Sequence, residues 1–209
     1  ASLEEVLQPI ARLFQSEPEG GPGGMFRVAD SDDLPVVMAA PLPGERERPC
    51  ELITAPMVED HAGQLDRLLS AARELDFAVP LEAAVHLHFD GAEFQEAGAF
   101  SRLVPLLSEK GEELKQTVGV NPRCRRLGAW PAELRETVEE PDFLRLDWPQ
   151  ARERLLKLPL TKYCDFNLVN LIKGRPDKTT LEIRVLPGSI DTEQIVRSAG
   201  LVEELLNEV

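Results

Sequence analysis

The chain lacks any run of apolar residues long enough to span a bilayer as a helix, which excludes a helical membrane protein. It also lacks a basic stretch followed by an apolar one at its start. Residues 1–14 are amphipathic and acidic, so they do not read as a secretory signal. Cysteine is scarce: the three present, Cys50, Cys124 and Cys164, are odd in number and far apart. That pattern excludes a disulfide framework and gives no zinc or redox pair, and it suits a reducing compartment. The expected location is therefore cytoplasmic. No internal repeat of solenoid period is visible. Positive charge is in short supply as well, with 23 Lys and Arg against 37 Asp and Glu and a net charge of −14. Such a surface repels nucleic-acid phosphates and anionic lipids, so neither nucleic acid nor membrane is expected as a partner. The charge does not exclude a nucleotide held in a local pocket with its own metal ions, and most of it serves solubility.

What is present is enough for one compact domain with a real core, since the chain has 209 residues. Residues 2–15 place Leu3, Val6, Leu7, Ile10, Leu13 and Phe14 on one helical face, and Ser2 with Glu5 forms a capping-box pattern. A Gly/Pro break over 19–24 precedes a short strand over 25–28 and an acidic turn with Asp30, Asp32 and Asp33. Strands are expected over 36–40 and 50–54, and a helix over 60–76. Residues 83–89 alternate in the manner of a strand, with His86 and His88 on one face and Val85, Leu87 and Phe89 on the other. A helix is expected over 94–117 with Pro105 at its start or at a kink, then a basic loop over 119–131, and a helix over 149–158. Residues 166–173 and 179–186 read as paired strands joined by the turn Gly174-Arg175-Pro176-Asp177, and residues 192–209 as a closing helix. Hairpins without a regular βαβ repeat give an α+β fold with a mainly antiparallel, curved sheet and flanking helices.

Three strand-borne clusters carry the candidate chemistry: Glu51 at the start of an apolar strand, His86 with His88, and Glu182 with Arg184. Positions i and i+2 of a strand share a face, about 7 Å apart. A sheet presenting these five side chains on one concave face could hold a divalent metal and phosphate. Carboxylates suit Mg²⁺, imidazole also suits Mn²⁺, and guanidinium forks match carboxylate or phosphate oxygens. Each cluster taken singly has a plainer explanation. Glu-x-Arg on a strand is commonly a surface ion pair, His-x-His can be two satisfied polar residues, and Arg123, Arg125 and Arg126 can be a solvated basic turn. A zinc hydrolase would require three protein ligands, more than the sequence supplies around His86 and His88.

In this order, however, the clusters resemble the amidoligase family of the carboxylate–amine ligases, relatives of glutamine synthetase and glutamate–cysteine ligase. The resemblance runs through the acidic turn at Asp30 to Asp32, the strand Glu51 to Pro56, His86 to His88, the loop arginines Arg123 to Arg126, Asn167 to Asn170, and Glu182 to Arg184. It covers the chain from about Arg27 onward. It implies a fold resembling the glutamine synthetase catalytic domain. The implied activity is an ATP-dependent ligase that joins a carboxylate to an amine through an acyl phosphate, with an amino acid, peptide or protein as substrate. Carried over residue by residue, Glu51, His86 and Glu182 would ligate Mg²⁺ or Mn²⁺. His88 and Lys162 would serve ATP, and Asp30 or Asp32 would lie near the nucleotide or the amine. Arg184 would hold the acyl phosphate or substrate carboxylate, and Arg123 or Arg126 would neutralise the moving phosphoryl group. The family's opening strand of the form E-x-E is not found before Arg27. The expectation is thus a single amidoligase-like domain over residues 1–209 that lacks its first acidic strand upstream of residue 1. The alternative is a non-catalytic binding domain on the same fold that engages a protein or peptide partner.

Overall fold

A computed structural model describes residues 2–29, 31, 33, 35–41, 50–74, 76–120, 127–174 and 179–209. Asp30, Asp32, Arg123, Arg125, Arg126 and most of the anticipated hairpin turn, at positions 175–177, lie outside the described residues. The chain is mixed α+β with antiparallel sheets. Its described strands fall into two sheets rather than the single one expected, and it divides into two compact units, Ala1–Ala78 with Ile190–Glu193, and Val79–Ser189 with Gln194–Val209. No helix among the described residues is long and apolar enough to cross a membrane.

The first unit begins with α1, Leu3–Leu13. The Ser2 side chain caps the Glu5 amide, and the Glu5 carboxylate accepts from the Ser2 amide, so two otherwise orphaned donors are satisfied. The strands β1 (Glu19–Gly20), β2 (Phe26–Ala29), β3 (Pro35–Pro41) and β4 (Cys50–Thr54) follow one another as an antiparallel meander. Helix α2 spans His61–Glu74. Leu7 and Ile10 of α1, Val28 and Val37 of the sheet, and Leu68 and Ala71 of α2 form one apolar core.

In the second unit, β5 (Ala84–Asp90) precedes α3, Ala97–Val118, which holds Pro105 inside a continuous helix. Helices α4 (Ala132–Glu139) and α5 (Trp148–Leu155), strand β6 (Phe166–Asn167), helix α6 (Val169–Lys173), strand β7 (Thr180–Pro187) and helix α7 (Thr192–Leu206) complete the chain. The sheet order is β5-β7-β6, with both pairings antiparallel, so β7 is the central strand. Leu181, Ile183 and Val185 of β7 are buried against Phe100, Leu103 and Leu107 of α3, Leu171 of α6 and Val202 of α7 in one cluster.

One expectation needs correction here. The run 166–173 pairs with β7 over two residues only and then turns into α6. The Asn167 side chain accepts the amide of Val169, an Asx turn that directs the backbone away from the strand and starts the helix. A short apolar run reads equally as a strand or as a buried helix, and the local side-chain bond decides it here. Gly174 ends α6 with φ of +60°, a left-handed position that glycine takes without penalty. Helix α4 lies where no element was expected from the sequence. Its buried residues, Leu134 and Val138, are four apart on one helical face.

Candidate functional site

Strand alternation sends Glu182 and Arg184 to the face of β7 opposite its apolar core residues. Pairing then fixes their neighbours. His88 of β5 is opposite Glu182, and Asn167 of β6 is opposite Glu182 on the other side. The ladder between β5 and β7 is irregular between Val85 and Leu87, so His86 sits at a bulge. One carboxylate therefore lies at the centre of three strands and has a polar side chain on each side.

Glu182 Oε1 accepts from Arg184 Nη1 at 2.7 Å, and Oε2 accepts from Asn167 Nδ2 at 2.5 Å. His86 Nδ1 stands 3.4 Å and His88 Nε2 3.9 Å from the same Oε1. Glu182 and Arg184 are 7% and 8% exposed, so this is a buried ion pair and not the solvated surface pair common for Glu-x-Arg on a strand. His86 is half-buried, and His88 is more open. His88 Nδ1 lies 3.1 Å from Thr180 Oγ1, which also accepts from Asn170 Nδ2 at 3.2 Å. A hydroxyl behind one ring nitrogen orients the other nitrogen toward Glu182. Arg184 Nε is buried with no hydrogen-bond partner among the described residues.

Burial alone would raise the Glu182 pKa. The Asn167 and Arg184 hydrogen bonds, with the charges of His88 and Arg184, outweigh it and hold the carboxyl below the usual range. His86 moves for the opposite reason. Burial and then the Arg184 guanidinium disfavour its charged form, Glu182 opposes them only in part, and its pKa falls to about 4. At neutral pH the site therefore presents an ionised carboxylate and a neutral imidazole, the forms in which each can ligate a cation. No group of three or more His, Cys, Asp or Glu side chains is placed to hold a metal among the described residues.

Of the residues expected from the sequence, His86, His88, Glu182 and Arg184 come together. Glu51 is an exposed residue on β4, in the sheet of the first unit, and not on the β5-β7-β6 sheet. Lys162 is exposed, with its ammonium 5.3 Å from the centre of the Tyr163 ring. Asp30, Arg123 and Arg126 lie outside the described residues. Asn167 had no assigned role in the sequence reading. Its only local sign was an amide side chain within a buried apolar run. Its neighbour Asp165 accepts from Lys115 Nζ at 2.9 Å and from the Gly128 amide at 2.8 Å. Trp130 Nε1 donates to the Phe166 carbonyl at 2.6 Å, so the end of the basic loop is tied to β6. A cavity of about 220 Å³ in this unit, lined by Leu107, Gly111, Lys115, Trp130 and Asp165 among others, includes none of the four clustered residues.

Compared with known protein families, residues 15–206 match the family described as "Putative amidoligase enzyme". No curated protein matches the chain, and no solved structure matches it either.

Proposed function

The chain belongs to the amidoligase family, and from that premise we propose that it is an ATP-dependent carboxylate–amine ligase. The observation that supports this best is the convergence of Arg184, Asn167, His86 and His88 on the single buried carboxylate of Glu182. A fold resembling the glutamine synthetase catalytic domain and a cytoplasmic location form part of this reading.

The reaction has two steps. An oxygen of the substrate carboxylate attacks the γ-phosphorus of ATP, the bond to the β-phosphate oxygen breaks, and ADP leaves. The amine of the second substrate then attacks the acyl carbon, inorganic phosphate leaves, and the nitrogen loses a proton. Neither step needs a covalent bond to the protein, so catalysis consists of positioning and of neutralising developing negative charge. Arg184 is suited to this. Its guanidinium is fixed by Glu182 on one side and has a buried Nε–H without a partner, which an incoming phosphate or carboxylate oxygen could take up.

Magnesium or manganese fits the donors. Mg²⁺ commonly uses one or two carboxylates, keeps several waters and takes the remaining ligands from nucleotide phosphates, so a three-residue protein cage is not required. Glu182 and the neutral His86 would hold it, and the cation would supply charge neutralisation at the phosphates. His88 and Lys162 are proposed for the nucleotide, and Arg123 or Arg126 for the phosphoryl group. The amine and carboxylate donors are an amino acid, peptide or protein.

Thermal unfolding in the presence of ADP and Mg²⁺ tests the reading. We expect the melting temperature to rise with both ligands. The rise should vanish in Glu182→Ala and His86→Ala, each compared with its own ligand-free value. A wild-type chain whose melting ignores nucleotide and metal would count decisively against the ligase.

A further inference from the structure

The geometry points to Asn167 as the positioning residue that fixes the Glu182 carboxylate for a divalent cation. This inference rests on the ligase reading above, in which Glu182 ligates the metal.

Three observations carry it. First, Asn167 is 2% exposed and is held at both ends of its amide. Its Oδ1 accepts the Val169 amide at 2.9 Å, and its Nδ2 donates to Glu182 Oε2 at 2.5 Å. The backbone bond settles which end of the amide is oxygen. Only the nitrogen can then face Glu182, and flipping the amide would break both contacts at once. Second, the backbone carrying Asn167 is itself fixed. Asn167 lies opposite Glu182 in the β6–β7 register, and the Asp165 carbonyl two residues earlier accepts the Arg184 amide at 2.9 Å. The donor thus belongs to the sheet and not to a movable loop. Third, the two grips on Glu182 are unequal in kind. Arg184 takes Oε1 with a full positive charge that competes with any cation for that oxygen. Asn167 takes Oε2 with a neutral donor, which orients the carboxylate without competing by charge.

The two residues therefore divide the work. Arg184 holds Oε1, the oxygen beside His86 and His88, while Asn167 holds Oε2 and so sets the direction of the carboxylate plane. The loss of such a supporting bond typically weakens metal binding about 10–100-fold.

Asn167→Ser separates this role from a purely structural one. A serine hydroxyl can still accept the amide two residues on, which preserves the turn into α6, but it is too short to reach Glu182. The probe is Mn²⁺ alone, titrated into the full chain and followed by the electron paramagnetic resonance signal of free Mn²⁺. We expect Asn167→Ser to weaken Mn²⁺ binding about 10–100-fold. In a Glu182→Gln background the same change should add nothing, because the bond it removes no longer positions a carboxylate. Wild-type affinity in Asn167→Ser, or an equal loss in the Glu182→Gln background, overturns the inference and leaves the ligase reading standing. If the wild-type chain binds no Mn²⁺ and gains no protection from nucleotide, the ligase reading itself fails, and this inference fails with it. Should Asn167→Ser not fold, Asn167→Thr carries the same measurement. If neither folds while Glu182→Gln does, Asn167 is structural and the inference is overturned.

Discussion

Replacing Glu182 by glutamine should destabilise the ligand-free protein by about 3–5 kcal/mol, the usual cost of removing one partner of a buried ion pair. The structure explains why the cost should be this large. The pair is 7% and 8% exposed, so water cannot take over the role of the lost carboxylate. Glu182 now offers an acceptor to a donor on each side, Arg184 Nη1 at 2.7 Å and Asn167 Nδ2 at 2.5 Å. Glutamine keeps one oxygen and adds an NH₂, so one of the two donors must face another donor. Arg184 is left charged, buried and with its Nε already unpartnered. Substituting Arg184 by methionine should cost a similar amount, because Glu182 keeps only the amide of Asn167. The double substitution Glu182→Met with Arg184→Met should recover most of the loss, since replacing both ions by apolar groups of similar volume is often close to neutral. Urea unfolding at pH 7.5, read by circular dichroism, gives the three free energies. A loss of 3–5 kcal/mol also corresponds to a fall in melting temperature of roughly 10 °C. Single substitutions that cost under about 1 kcal/mol, or a double variant no more stable than either single one, would refute the argument, because the cost lies in leaving one ion of the pair buried alone.

Three further predictions concern the same unit. His86 has a folded pKa of about 4 against an ordinary 6.5, so the unfolded chain takes up its proton first as the pH falls. Stability from this group is complete above pH 6.5 and is lost progressively down to about pH 4, by on the order of 3 kcal/mol. The depressed Glu182 pKa acts in the same direction, with loss as the pH falls through its folded value. Urea midpoints across this range should show the slope, and His86→Gln should flatten it. Gly91→Ala should destabilise by about 1–3 kcal/mol, measured by thermal melting, because an added Cβ would stand 1.9 Å from the Leu171 side chain in a packed core. Burial pushes the Cys164 thiol up to about 11, with the Arg184 charge opposing it only in part. Only about one thiol in a thousand is then ionised at pH 8, so peptide mapping after iodoacetamide should find Cys164 unlabelled in the native chain and labelled in urea.

The residues differ in how far they could be read in advance. Helix α1 was legible because its signal is local. The apolar face repeats at helical spacing, and Ser2 and Glu5 satisfy each other within one turn. The faces of β5 and β7 were legible for the same kind of reason, since alternation alone decides that Leu181, Ile183 and Val185 share a side and that Glu182 and Arg184 share the other. The stretch after Phe166 was not legible. Its apolar residues suit a buried strand or a buried helix, and one bond from the Val169 amide to Asn167 Oδ1 tips it into α6.

The sequence by itself determined the secondary-structure types of most segments, the α+β class, and four of the residues that meet at one site, His86, His88, Glu182 and Arg184. These depend on periodicity and on residue chemistry, which are written along the chain. Only the tertiary structure decided that the strands form two sheets, that Glu51 belongs to the other one, and that Asn167 grips Glu182. It also decided that the Glu-x-Arg pair is buried, which changes an ordinary surface motif into a carboxylate with a depressed pKa beside a neutral imidazole. The physical reason is that register and burial arise between segments far apart in sequence. Which residue of β5 or β6 faces Glu182 depends on how three strands pair, and no local pattern along any one of them contains that information.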